Sequence, residues 1–589
     1  MDKSVRSVWP RYDGLKVFFV IVLGSMLTAE AQNLDAEAIT KATALKVSGG
    51  VSANTIFYNA NTRNAREPFT YFLQGNLNLS WLTFSMPLSY SFSNQGTNLG
   101  YDLPFNFNRL SLHPKYKWVQ AHVGDVAMTF SPYTLSGHQF TGGGLELTPK
   151  GPFKISAMAG RLLKATENNG NPQTLPAFKR MGYGLQMAYK KNNYNIGLIG
   201  FYAKDKANSI DQVPDDKNIA PKENLVLSIG GEATFAKNYR LRMEYASTAI
   251  AQDTRAESQE GSGHGLAGLF FSGKASTEYY DAINTGIDLS FSEMQLGLGY
   301  ERIDPGYETL GAYFFNNDFE NITLNASRPF FNNKLNLSFN VGYQSDNLDH
   351  QKSQDTNRFV GSFNASLQAS ERITITGGYS NFSTFTNQSL NQFDDINDSD
   401  LTDEDLEALD FKQLAQNANI NLNWLLTQGK KTTQNINLNY ALASSANEQG
   451  GVIRIGQANN FHNTNAVYTI GLPKRNLNIS SSLNYTYSDV GRDDSTAWGT
   501  TVEVGKKFFE NKLNTSLGMA YNTSKNLTVK TDVVNFRYNA SLTVAKKHNF
   551  NLNVVQLYRN TADQATLNEF TLTFGYGYTF DLGKAAGRN

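Results

Sequence analysis

The sequence predicts an all-β protein, a single large antiparallel transmembrane β-barrel of about 22–26 strands with no separate plug domain. Three observations carry that expectation. Residues 570–580 alternate without a break: Phe570, Leu572, Phe574, Tyr576, Tyr578 and Phe580 share one face, and Thr571, Thr573, Gly575, Gly577 and Thr579 share the other. Successive strand side chains point to opposite sides, so one face is apolar and the other small and polar, at a length that crosses a bilayer at a tilt. Short Lys- and Asn-rich turns recur along the chain. Finally, 12% of residues are aromatic and only 18% charged, a surplus and a deficit that aromatic girdles and a lipid-facing wall would use. The mean hydropathy of −0.41 does not oppose this, because half of each strand faces water.

Taken in order, Lys3, Arg6, Arg11 and Lys16 precede an apolar run from Val17 to Leu27, and Ala29-Glu30-Ala31 follows. A charged head, a short apolar segment and an A-x-A site describe a cleaved signal peptide over 1–31. Residues 32–43 read as a short periplasmic lead, 44–582 as the barrel and 583–589 as a C-terminal extension. No cysteine is present, so disulfides are excluded and barrel closure must supply the stability.

The repeating unit of 44–582 is a hairpin. Lys190–Asn193 separates Tyr183, Leu185, Met187 and Tyr189 from Tyr194, Ile196, Leu198 and Tyr202. Ala236-Lys237-Asn238 divides two further alternating runs. Asn332-Asn333, Ser370-Glu371, Lys474-Arg475, Glu510-Asn511 and Lys546-Lys547 behave alike, with weaker candidates near 82, 116, 150, 292 and 429. Twelve such turns separate thirteen hairpins, hence the upper figure of about 26 strands. Longer Gly-, Asn-, Asp- and Ser-rich loops alternate with them: 60–69, 93–104, 165–179, 204–222, 248–277, 304–318, 346–356, 383–411, 444–460 and 488–497. Short turns at one rim and long loops at the other are the expected asymmetry.

The terminal strand resembles the C-terminal strand of bacterial outer-membrane β-barrels, although the chain runs on through Asp581 to Asn589. The Ala-Gln junction at 31–32 and the abundance of Asn, Tyr and Phe resemble exported proteins of the Bacteroidota. That resemblance implies the outer membrane as the location, with outer-membrane lipid and the barrel-assembly machinery as partners. TonB-dependent receptors carry a large plug domain ahead of the barrel, and this sequence departs from them there.

The polar faces are rich in amides. Asn76 and Asn78, Asn421 and Asn423, and Asn437 and Asn439 alternate with apolar residues and are candidates to line the lumen. Arg240, Arg242, Glu244, Glu503 and Arg537 add sparse charge of both signs, which is no ring of the kind that makes a strongly ion-selective pore. Lys plus Arg equals Asp plus Glu at 52 each, so nucleic acid is not an expected partner.

Catalysis, metal and cofactor are not expected. Ser136 and His138 with Asp125 offer a triad by residue type, but neighbours on a strand point apart. The run Phe130–Phe140 reads instead as an ordered loop folding into the barrel mouth. Nine carboxylates between Asp394 and Asp410 lack calcium-loop spacing and read as a solvated loop with a short capped helix. An unobstructed lumen of this size would breach a membrane, so something must fill it. Loops 248–277 and 383–411 are the chief candidates, or a separate periplasmic or surface partner protein. Two functions follow: a gated or loop-constricted conduit for a polar solute or polymer, and a non-conducting scaffold for an export or surface-assembly complex.

Overall fold

In the computed structural model, strands run from Lys46 to Asp581 in one antiparallel sheet. The structure describes residues 46–582 except 63–67, 95–108, 170–173, 175, 212–218, 260–262, 314, 352–356, 382, 386–410, 450–451, 454–458, 491–492 and 527–528. The expected signal peptide, lead, C-terminal extension and acidic loop therefore lie outside the described residues.

The sheet closes on itself. Lys46–Ala60 pairs with Leu567–Asp581 from Ser48↔Asp581 to Ala60↔Glu569, and with Phe69–Trp81 on its other side. Three staves are interrupted. Arg109–Leu112 and Lys115–Tyr116 form one, broken where Pro114 lacks an N–H. Ser383–Phe385 continues Ile373–Ser380, and Val452–Ile453 precedes Asn459–Leu472. Counted this way the ring has 26 strands, the upper end of the sequence expectation. All twelve expected tight turns fall between consecutive staves.

Two of the expected long loops are largely strand. Leu477–Val490 and Asp493–Phe508 leave only 491–492 between them, and Thr433–Gln449 runs well into the 444–460 stretch. Polar alternation continues past bilayer height there, as in the bond between the Ser488 and Ser495 hydroxyls (2.6 Å), and polar composition alone does not separate such a strand from a loop. The loop at 248–277 is shorter than expected, because Tyr239–Ala251 carries the strand on to 251.

Opposite faces of each strand differ sharply. Ile196, Met243, Leu298 and Leu517 are each more than half exposed, while their neighbours are small, polar or covered. Near the tight turns the apolar face gathers aromatic pairs, Phe153 with Tyr189, Tyr189 with Tyr194 and Phe235 with Tyr239, at centroid distances of 4.9, 6.0 and 5.8 Å. No helix among the described residues is long and apolar enough to cross a membrane, which says nothing against crossing with strands.

Candidate functional site: an inner segment across a polar lumen

Two segments at the loop rim meet over the sheet. One, 130–135, follows Val119–Thr129; the other, 304–318, follows Gln295–Ile303, with eight strands between the two segments. Ser136 donates its N–H to the Gly311 carbonyl (2.9 Å), Thr309 its hydroxyl to Thr134 O (2.7 Å) and Tyr307 its phenol to Tyr133 O (2.9 Å). Segments rooted so far apart on a closed ring meet by the short path, which is the chord on the concave side. The face they cover is therefore the lumen.

The wall beneath them is built to receive them. Asn224, Val226, Ser228, Thr248 and Ile250 share the covered face of two adjacent strands and are buried. The Asn224 amide donates to Thr248 Oγ1 (2.8 Å) and to Ala249 O (3.0 Å), and its Oδ1 accepts the Leu310 N–H (3.1 Å). Thr248 Oγ1 donates to Glu308 O (2.9 Å), and Lys222 pairs with the Glu308 carboxylate (3.3 Å). Leu310 enters a core with Leu135, Phe140, Met158, Phe201, Val226 and Ile250, while Tyr307 joins Tyr133, Ala282 and Ile303 in a second. Gly306, at φ +80°, and Gly311 allow the close approach. A Cβ on Gly311 would stand 2.5 Å from Thr134 O, and one on Gly306 would stand 2.6 Å from the Tyr280 ring. Burial foremost, then Glu301, whose carboxylate accepts the hydrogen bond of the Tyr133 hydroxyl, holds that phenol far above its ordinary range. Burial does the same for Tyr307, helped by Glu244.

The sequence expectation for the filling loop needs correction in part. Of run 130–140 only 130–135 folds over the lumen wall; 136–140 open the strand Ser136–Leu147 and belong to the wall itself. Loop 248–277 does not share that side: its helix Gly265–Gly268 bonds Ala267 N–H to Ser247 Oγ (3.3 Å), and Ser247 points away from the face on which its neighbour Thr248 holds Glu308. Of 383–411, nearly all lies outside the described residues. The segment that sequence reasoning underrated is 304–318. Its signal was present, since Tyr307, Leu310, Tyr313, Phe314 and Phe315 make it apolar among polar loops.

The sequence-selected residues fall as follows. Arg240 pairs with Glu232, Arg242 with Asp288 (2.9 Å), and Glu244 accepts from Ser228 (2.8 Å), a charged ladder below the inner segment. Asn421 and Asn437 bond reciprocally (3.1 and 3.2 Å), Asn435 donates to Asn423, and Asn439 lies opposite Asn465. Asn76 stands opposite Gly50 and Asn78 opposite Ser48. Arg537 lies opposite Gly518, with Glu503 on that glycine's other side. In the last strand Phe574 is exposed between Thr55 and Leu552, and Gly575 on the other face faces Asn54. Phe570 stands opposite Asn59 and Gln556, Leu572 opposite Phe57 and Val554, and Phe580 opposite Gly49. Tyr576 and Tyr578 pack on His548. The triad types do not converge: His138 stacks on Tyr313 (4.1 Å), while Asp125 lies on the opposite strand face, bonded to Thr141 (2.7 Å).

The lumen therefore has two characters. The strands from Val119 to Ile303 carry the inner segment and the charged ladder. From Phe411–Gln428 round to Phe84–Ser93 the described side chains of the same face are mainly Asn, Ser, Thr and Gly, with Phe72, Phe461, Val467, Val533, Val555 and Leu557 interspersed, and they include a groove among Asn54, Asn478, Asn514, Asn539, Asn551 and Asn553. Among the described side chains, charges on that stretch are the Lys46–Asp581 pair at one rim and Glu503, Lys507, Arg537, Arg559 and Glu569.

No family model matches the chain, and no curated protein matches it. Solved structures do resemble it weakly. The P pilus usher translocation pore is 13% identical with a TM-score of 0.35, over 91% of this chain and 100% of that one. A mutant ferric enterobactin receptor of Pseudomonas aeruginosa is 10% identical with a TM-score of 0.39, over 91% and 80%. OccAB4 of Acinetobacter baumannii is 10% identical with a TM-score of 0.27, over 68% and 98%. At such scores these likenesses carry no argument about this chain. Its own closed ring of paired strands makes it a large β-barrel.

Proposed function

We propose that this protein is an outer-membrane conduit for a neutral polar solute or polymer, constricted by its own segments 130–135 and 304–318. The supporting observation is the wall rich in amides and hydroxyls that makes up most of the rest of the lumen. Amides both donate and accept, so they match hydroxyl-rich solutes such as saccharides without selecting a sign of charge. A ring of 26 strands spaced ~4.8 Å and tilted ~40° has a circumference of about 160 Å, far more than two short segments fill. The passage lies beside the inner segment, and movement of that segment gates it.

The test is single-channel recording from the purified full chain in a planar bilayer. The expected result is a gated, weakly ion-selective conductance that neutral oligosaccharides reduce in a concentration-dependent way. A correctly folded but silent barrel, identified by heat-modifiable gel migration, would sink the conduit and favour the scaffold, with a partner in the remaining lumen.

A further inference from the structure

Two tight turns in this barrel are near copies of each other. Arg328-Pro329-Phe330-Phe331-Asn332-Asn333-Lys334-Leu335 and Lys506-Lys507-Phe508-Phe509-Glu510-Asn511-Lys512-Leu513 share the pattern [Arg/Lys]-x-Phe-Phe-x-Asn-Lys-Leu, on hairpins eight strands apart. Their structures agree in detail. Each is closed by a Phe–Leu pair, Phe330↔Leu335 and Phe508↔Leu513. In each the Lys N–H returns to the carbonyl of the second Phe (3.3 and 3.0 Å), and the Lys carbonyl accepts an N–H from the following strand, Gln368 or Thr543. Each sets its first cation over its first Phe, Arg328 over Phe330 and Lys506 over Phe508, both at 5.0 Å.

The second phenylalanines are what such a turn does not need. Phe331 and Phe509 take left-handed backbone at φ 53° and 51°, where a bulky side chain is strained, and they are 73% and 71% exposed. Turns 236–238 and 545–547 open on the same left-handed conformation with alanine, at φ 48° and 51°. Turn geometry is thus met without an aromatic ring, and folding of the chain alone gains little from an exposed one. Both rings lie beside the outward Phe330 and Phe508, at 6.4 and 6.3 Å, and so continue the aromatic row on the apolar face at the tight-turn rim.

We infer that these two hairpin tips are lipid-interface anchors. Phe331 and Phe509 seat at the headgroup–acyl boundary of the leaflet on the tight-turn side, and Arg328, Lys334 and Lys506 meet anionic headgroups above them, while Lys512 pairs with Glu510 (3.6 Å). Aromatic rings prefer that depth, and long basic side chains reach phosphate from it. Continuity with the outward aromatic row selects lipid over a soluble partner as the occupant. The inference rests on the barrel spanning a bilayer, as proposed above.

Because the chain has no cysteine, single substitutions label cleanly. Nitroxide labels on Phe331→Cys, Phe509→Cys, Leu324→Cys and Lys237→Cys would be read in the full chain, in vesicles of phosphatidylethanolamine and phosphatidylglycerol. The labels at 331 and 509 should favour collision with oxygen over an aqueous nickel reagent by roughly threefold more than the label at 237. Nickel access equal to that at 237, or immobilisation away from both reagents, overturns the anchor. The label at 324, mid-strand and outward, separates the two readings: if it too meets nickel, the membrane-spanning reading fails. A second measurement uses Phe331→Ala with Phe509→Ala. Relief of backbone strain alone would raise the urea midpoint, whereas loss of two anchors should lower the folded-to-unfolded ratio in vesicles roughly tenfold. An unchanged or higher midpoint overturns the inference.

Discussion

Asn224→Leu tests the constriction most directly. Asn224 is fully buried in the wall, and its Oδ1 is the acceptor for the Leu310 N–H of the inner segment. Leucine keeps the bulk and removes the acceptor, so with the segment seated a buried N–H goes unpaired. Such a group costs about 1–3 kcal/mol, and displacement of the segment relieves it by hydrating the amide. Taking ~2 kcal/mol, the ratio of displaced to seated segment rises by about thirtyfold. Leu310→Ala adds the loss of a packed leucine, about 2–5 kcal/mol at buried sites. The two changes touch, so their sum is not strictly additive. The wall itself should persist, since Glu223–Phe235 keeps its ladders to both neighbours. The assay is planar-bilayer recording, with heat-modifiable migration as the folding control. Longer and larger openings are expected in Asn224→Leu, and more so in the double variant. If both variants and a deletion of 305–317 conduct as the parent does, the inner segment does not constrict the lumen and the argument fails.

Other perturbations bear on the same picture. Gly311→Val should displace the segment sterically, because even a Cβ would lie 2.5 Å from Thr134 O, and its openings should match those of the deletion. Alkali should act through Tyr133 and Tyr307. Their phenols are raised in the seated state, so its advantage is intact below the ordinary phenol value of 10.0 and is lost as pH rises past it. Conductance should therefore climb above about pH 10, and a Tyr133→Phe/Tyr307→Phe variant that shows the same climb would refute this. Met243→Arg, on the exposed apolar face, should cost about 2–4 kcal/mol in urea unfolding from vesicles, whereas Asn437→Arg on the amide face should cost little. Equal costs would reverse the assignment of faces.

The fold was legible in the sequence because its signal is local and repeated. Alternation marks each stave, as at Tyr194–Tyr202, and Lys/Asn turns punctuate every second joint. The exact ends of staves were not legible where polar residues continue the pairing above the apolar band, as across Ser488 and Ser495. The constriction was only half legible. Run 130–140 carries Phe130, Tyr133 and Phe140 around a single Gly137, but the role of 304–318 depends on Asn224, Thr248 and Phe201. These lie on three strands, and their convergence is a property of the closed ring. Which loop enters the lumen likewise depends on strand parity: Ser247 and Thr248 are adjacent in sequence and hold segments on opposite sides of the wall.

The seam between Lys46–Ala60 and Leu567–Asp581 joins the first stave to the last. Bringing such distant segments together in one step would cost about 5–6 kcal/mol of chain entropy, against roughly 2–3 for a single hairpin. Staves added in sequence order spread that cost over short steps, so the seam forms last, between edges already placed. A chain cut short anywhere before Leu567 then carries two open strand edges, each a template for pairing with other chains. Closure is thereby written into the architecture: only a chain whose last stave has paired with Lys46–Ala60 has no sheet edge left for aggregation or proteolysis to exploit.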